Sequence, residues 1–419
     1  MLTRSFAAQG FSTIALALAQ LASVLLLSRL LTPAEFGIAA TASIASIIGI
    51  SLADVGFGAS IVKKRTLTPQ FVMTVLKVGS LTFFTVSLIS FVISSFYWND
   101  LKITKLGVIF SISSTLFGVA GIIKSILYRN GNYGHIFWVN VGSYFVGQLC
   151  LSVLLACIGF GAFAIAIGQL VTSALMLILS LWLSGSAITR DFNRRYVKGV
   201  LRFGFAVLLN RVLEVILTEG DKLFMAKFVS FQRIGHFERA SRIPLIAGGH
   251  LSFLMETVLY PYMCRGVQSG QSRWAILRAT LIAHAITSIS MISLSFLSKF
   301  VIAVLLGPRY EGVEAVFGVL VAAGYVRVCN RIIEIQFRAN SIPEMSIYPK
   351  AVSSIALISG LIYFVDKGIM TWAYCYLFAQ ILCIMGSTLI SLKQEIFKLI
   401  SIFNILIIPL TIIVILVQN

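Results

Sequence analysis

Seven basic residues lie within long apolar runs, away from either end: Lys77, Arg211, Lys222, Arg239, Arg242, Arg327 and Arg331. All but Lys77 fall in the second half of the chain. A charge in hydrocarbon costs about 2.5–3.5 kcal/mol even on lenient insertion scales, so such side chains face a protein interior or a wet cavity. A guanidinium placed there can grip a compact anion through paired, charge-assisted hydrogen bonds. Within the run 312–337, Arg327, Arg331, Glu334 and Arg338 follow steps of four, three and four, which sets them on one helix face. Two arrangements suit that stripe. It is a cationic wall beside a cavity for an anionic ligand, or Arg331 pairs with Glu334 while Arg338 reaches the inner interface.

Two further clusters have the same double reading. Glu238, Arg239, Arg242 and His250 lie in the run 234–262, with Pro244, Gly248 and Gly249 between them. Glu238 and Arg242 are spaced to form an ion pair, and Pro and Gly at membrane depth mark either a broken helix beside a substrate or a plain kink. Arg211, Glu214, Thr218 and Asp221 form a stripe that either neutralises itself or lines a site. In the first half, Asp54 stands next to Gly56 and Gly58, where it orients a helix end or binds a coupling cation.

The elements that must position these residues are membrane helices. The chain has 419 residues, 58% hydrophobic and 11% charged, and its mean hydropathy is +0.96. Thirteen apolar runs of near-spanning length are expected, at about 6–31, 36–61, 71–97, 106–127, 136–158, 160–183, 203–228, 234–262, 275–306, 312–337, 346–365, 369–391 and 397–417. The fold class is therefore an all-α polytopic membrane protein; the short alternating segments of a barrel are missing. The first turn shows how spans are joined: Thr32 caps, Pro33 suits the first helical position, and Glu35 completes a capping box.

The net charge of +18 follows from Lys and Arg collecting in cytoplasmic loops and does not call for nucleic acid. Placing the N-terminus in the cytoplasm puts Lys63, Lys64, Arg65, Lys124, Arg129, Arg194, Arg195, Arg338 and Lys350 on that side, a roughly two-to-one bias. Arg4 and the apolar residues after it resemble a signal peptide, but the apolar run continues to Leu27 and reads as an uncleaved helix. The polar stretch 185–199 divides an N-terminal six-helix bundle, 1–184, from a second, 200–392, leaving 393–419 as an additional helix. The six cysteines lack metal-ligand spacing and read as packing residues. No Walker loop, serine elbow or paired metal motif occurs, so the chain is read as a non-enzyme without a cofactor.

The order and spacing of several motifs then point to a family. LLSRLLTPAEFG followed by LADVGFGASIVKK, RIGHFERASRIP with Gly235, Phe237 and Ala240, Pro261 in LYPYMCR, and LLGPRYEGVEAVFGVL around Gly307 together resemble bacterial polysaccharide flippases. These are the Wzx-type exporters of the multidrug/oligosaccharidyl-lipid/polysaccharide (MOP) superfamily. The resemblance covers most of the chain, which ends after one extra segment where longer members carry two. It implies two six-helix bundles in a V around a central cavity, in the bacterial inner membrane. It also implies an undecaprenyl-pyrophosphate-linked oligosaccharide as substrate, moved by alternating access, with a polymerase and glycosyltransferases as partners. On that reading Arg239, Arg242, Arg327 and Arg331 hold the pyrophosphate, with Arg211 and Arg29 as weaker candidates. Asp54 or Glu214 would couple transport to protons or sodium.

Two alternatives remain open at this point. A cation-coupled multidrug exporter of the same superfamily would favour acidic rather than basic residues at membrane depth. A polysaccharide polymerase or ligase would be expected to carry a long outer loop, and the loops here are short.

Overall fold

The computed structural model describes residues 2–53, 57–63, 67–98, 100–185, 196–197, 210, 212–220, 225, 228–269, 273–307, 310, 313–340, 342–364, 367–392 and 398–417. Among these residues the regular structure is entirely helical. The elements are α1 (Leu2–Leu30), α2 (Pro33–Ala53), α3 (Phe57–Lys63), α4 (Pro69–Trp98), α5 (Leu101–Asn130), α6 (Tyr133–Cys157) and α7 (Ala162–Ser184). A helical stretch at 212–220 is α8. Then follow α9 (Phe231–Ser269), α10 (Arg273–Phe296), α11 (Ser298–Val301), α12 (Glu314–Ala339), α13 (Ile347–Tyr363), α14 (Ile369–Leu392) and α15 (Lys398–Val417). Among the described residues nine helices are long and apolar enough to cross a bilayer. Large apolar side chains stand exposed along them, including Phe11, Ile14 and Leu18 on α1 and Trp182 on α7. That pattern suits hydrocarbon, not water. The protein is an all-α polytopic membrane protein.

Contacts divide the chain into two compact units, Met1–Val215 and Ile216–Asn419. The division falls beyond the basic stretch 185–199, most of which lies outside the described residues. The expected span 203–228 also lies largely outside them, and α8 is its described part.

Local chemistry sets the ends of the helices. The expected capping box between α1 and α2 forms: the Thr32 amide donates to Glu35 Oε2 at 2.8 Å and the Glu35 amide donates to Thr32 Oγ1 at 3.4 Å. Asp100 Oδ1 accepts from the amides of Lys102 and Ile103 at the start of α5. Gly131, at φ 71°, ends that helix in the left-handed conformation that a Cβ disfavours.

In the first unit the helices are joined by small residues and hydroxyls. An apolar cluster of Phe57, Phe71, Val75, Phe83, Ile122 and Ile126 unites α3, α4 and α5. Ser87 and Ser114 share a hydrogen bond of 2.8 Å between α4 and α5, and Ser113 and Ser173 one of 2.8 Å between α5 and α7. Such bonds contribute about 0.6 kcal/mol each in lipid. Helix α6 contains two π-helical segments, Trp138–Gly142 and Phe145–Leu151, which periodicity did not reveal. The second lies where α6 and α7 meet backbone to backbone: a Cβ on Gly147 would run into Thr172 and the Gly168 carbonyl, and one on Gly168 into Ser152.

In the second unit α12 is the central helix. Its most apolar stretch is 83% buried, against 28–50% for the other candidate spans. It packs on α9, α10, α14 and α15. Met255, Leu259 and Met263 of α9 close against Ile332 and Ile335 of α12. Helix α15 runs from Lys398 to Val417 with Pro409 inside it.

The α6–α7 crossing yields a first prediction. Gly168→Val overpacks it and costs about 1–3 kcal/mol. The variant should melt several degrees below the parent in detergent, whereas Gly134→Ala, which meets nothing within 4 Å, should melt with the parent.

Candidate functional site

The sequence places four ionisable residues on one face of α12, and the structure divides them between two environments. Arg327 lines a small, partly open cavity within the second unit. The walls are Thr218 of α8, Ser241, Pro244, Leu245, Gly248 and Gly249 of α9, Leu320 and Gly324 of α12, and Tyr376 of α14. Arg327 is the charged residue in that lining. It is half-buried, with no hydrogen bond or ion pair to any described residue.

The cavity exists because the backbones of α9 and α12 come close without filling the space. A Cβ on Gly248 would touch Val328, Met291 and the Gly324 carbonyl at 3.5–3.8 Å, whereas one on Gly249 would meet nothing within 4 Å. The pair therefore has a packed member and an open member. Helix α9 runs unbroken through Pro244, Gly248 and Gly249, so the interruption that Pro and Gly suggested is not realised as a break. Packing on α12 holds the helix together across them.

One turn further along α12 the charges are paired. Glu334 is buried, and donors to its carboxylate include Arg331 Nη1 at 2.9 Å, Lys350 Nζ at 2.8 Å and Asn330 Nδ2 at 3.2 Å. Lys350 was expected at the cytoplasmic side. It is nine-tenths buried, reaching from α13 to that carboxylate. Beyond it, Glu256 of α9 accepts from Arg338 Nη1 at 2.6 Å and lies 3.9 Å from Arg331 Nε. Arg338 also covers the Tyr260 ring at 5.5 Å. Three cations thus face two carboxylates across α9, α12 and α13. A carboxylate this buried is tolerable only with such partners, since removing one leaves an uncompensated charge.

Those of the remaining sequence candidates that are described lie apart from the cavity lining. Arg242 pairs with Glu238 at 3.8 Å and is 44% exposed, as their spacing suggested. Arg239 is buried on α9 outside the lining. Arg29 is exposed in the last turn of α1, in the first unit. Glu214 is half-buried on α8. Asp54, Arg211 and Lys222 lie outside the described residues, as does Asp221. Sequence reasoning missed Glu256 and the burial of Lys350, because their partners are on other helices. It also passed over Ser241 and Tyr376, whose hydroxyls give the cavity a polar wall.

Three comparisons place this geometry among known proteins. Residues 26–315 match the family described as polysaccharide biosynthesis protein. A membrane protein in the cps region of Klebsiella pneumoniae is 21% identical over 354 residues, spanning 81% of this chain and 71% of that protein. The lipid II flippase MurJ in an inward closed conformation superposes with a TM-score of 0.72 at 19% identity, over 98% of this chain and 97% of that one. An inward-facing multidrug resistance MATE family transporter of the MOP superfamily gives 0.60 at 17% identity, over 94% and 96%. At these identities the likeness to the solved structures is one of fold.

The buried pair can be tested directly. Glu334→Gln should cost about 3–5 kcal/mol, because Lys350 and Arg331 lose their shared counterion inside the unit. Adding Lys350→Met should restore much of the melting temperature. A double variant no more stable than the single would contradict the pairing.

Proposed function

The chain belongs to the polysaccharide biosynthesis protein family, and on that premise we propose that it moves an undecaprenyl-pyrophosphate-linked oligosaccharide from the cytoplasmic to the outer leaflet of the bacterial inner membrane. The observation that carries this reading is Arg327: a guanidinium at membrane depth, without a counterion among the described residues, in a cavity walled by hydroxyls and glycine backbone. An arginine so placed is costly unless an anion visits it, and the fork of a guanidinium matches phosphate oxygens. Thr218, Ser241 and Tyr376 can serve the first sugar or the phosphate ester oxygens. Arg331 is the second ligand to the anion. Coupling to a proton or sodium gradient, with Asp54 or Glu214 as its carrier, belongs to the same proposal.

Multidrug export fits less well. A site for organic cations needs a carboxylate or a cage of aromatic faces, and the cavity lining offers a cation and one tyrosine. A polymerase or ligase would need a nucleophile with a base, and among the described residues the lining holds no Asp, Glu, His or Cys.

Replacing Arg327 with Ala should lower surface polysaccharide about ten- to a hundredfold, the worth of one charge-assisted contact to the anion. Protein level should stay unchanged, and single lipid-linked repeat units should accumulate facing the cytoplasm. Filling the open member of the glycine pair, Gly249→Phe, should do the same, while Gly248→Ala is tolerated. Normal polysaccharide in both Arg327→Ala and Gly249→Phe cells would contradict the reading. Full-length repeat units facing outward but unpolymerised would favour a polymerase.

Orientation has its own check. With the N-terminus in the cytoplasm, the end of α6 faces outward, and Cys157 is exposed there. A membrane-impermeant maleimide should label Cys157 in spheroplasts; labelling only after lysis would reverse the topology.

A further inference from the structure

Helices α9 and α12 run side by side in the same direction. Gly248 meets Gly324 and Val328, and two turns on Glu256 meets Arg331 and Arg338. The cavity and the charged ladder are therefore successive stretches of one helix contact. Arg327 and Arg331 are four apart, so their side chains leave the same face about 6 Å from each other. An anion with two phosphates, held at Arg327, is within reach of Arg331.

Arg331 is held unequally by the carboxylates of Glu334 and Glu256. Glu334 is close, at 2.9 Å, buried, and fixed from the other side by Lys350. Glu256 is 3.9 Å away, beyond hydrogen-bond range, and its side chain is 37% exposed. Its short bond is the one to Arg338, at 2.6 Å. Of the two acids, Glu256 is the one an incoming anion can displace.

We propose that Glu256 is the internal counterion of the anion site: it occupies Arg331 and Arg338 while the site is empty and yields Arg331 to a pyrophosphate-bearing ligand. The inference rests on Arg327 being the anion's first contact. Glu256 then sets affinity by competition, as a specificity residue that admits a ligand with two negative groups and rejects one whose single charge cannot outbid a carboxylate. The same displacement loosens α9 from α12 at that end, so an occupied site and a closed helix contact exclude each other. Arg338 acts through Glu256, by drawing the carboxylate away from Arg331.

Farnesyl pyrophosphate is the probe, with affinity measured by microscale thermophoresis on the full chain in detergent. Glu256→Gln removes the competitor and should bind the probe about five- to tenfold more tightly, the worth of one partly exposed charge contact. Glu256→Asp, one methylene shorter, should tighten it less. Arg338→Gln leaves the carboxylate to fall wholly on Arg331 and should weaken binding. The double variant Glu256→Gln/Arg338→Gln should bind as tightly as Glu256→Gln alone. Farnesyl monophosphate should gain more from Glu256→Gln than the pyrophosphate does. A network that only braces the fold predicts weaker binding in every single variant, and that result, or an unchanged Glu256→Gln at parental melting temperature, overturns the proposal. Arg327→Ala separates the two levels: if it leaves the probe's affinity unchanged, the anion site itself fails; if it weakens binding while Glu256→Gln does not strengthen it, only the counterion role fails.

Discussion

A carboxylate inside the second unit constrains much of what surrounds it. Glu334 sits on the most deeply packed helix of that unit, nine-tenths out of reach of solvent. Desolvating an ion there costs several kcal/mol after relaxation. The cost is offset by drawing in donors from two helices: Arg331 and Asn330 on its own helix and Lys350 from α13. The result is a fixed anchor joining α12 and α13. It also determines what the other arginines of the stripe can do. Arg331 is committed on one side and loosely engaged on the other. Arg338 is tied to Glu256 near the helix end. Arg327, a turn earlier, has no such partner among the described residues and opens onto a cavity instead.

That cavity depends on small residues as much as on charge. Gly248 and Gly324 let two backbones approach, and Pro244 lies against Gly324 at 3.7–3.8 Å from where its Cβ would be. Lipid offers no hydrophobic drive for helices to associate, so close backbone contact and hydroxyl bonds must supply the cohesion. The first unit uses the same means at Gly147 and Gly168 and in its serine pairs. In the second unit the close contact at Gly248 leaves the neighbouring Gly249 facing open space, so one glycine pair both packs the helices and keeps the chamber clear.

How much of this could be read beforehand follows from the range of the interactions. Features written within one helix or one turn were legible: the steps of four, three and four on α12, the Arg331–Glu334 pair, the Glu238–Arg242 pair, and the Thr32–Glu35 capping box. Features that need a second helix were not. Glu256 and Arg338 are 82 residues apart in the chain, and nothing in the local pattern of either marks the other. Lys350 follows a proline near the start of α13 and reads as an interfacial cation; only its meeting with Glu334 shows that it is interior. The second π-helical segment of α6 coincides with the close approach of α7 at Gly147, a contact that no single-helix periodicity records. Helix α9 misled in the opposite sense: Pro244 and two glycines argue locally for a break, and packing on α12 carries the helix through.

Transport by purified protein tests most directly whether the Arg327 guanidinium serves an anionic lipid carrier, as proposed. Protein in liposomes would be given a fluorescent polyprenyl-pyrophosphoryl sugar in both leaflets, and dithionite would quench the label on the outside. The parent should let the protected inner half be quenched as well, on the timescale of minutes, and the Arg327→Ala protein should leave it protected as empty liposomes do. Equal protection with parent and empty liposomes, or full quenching with Arg327→Ala, would contradict the account.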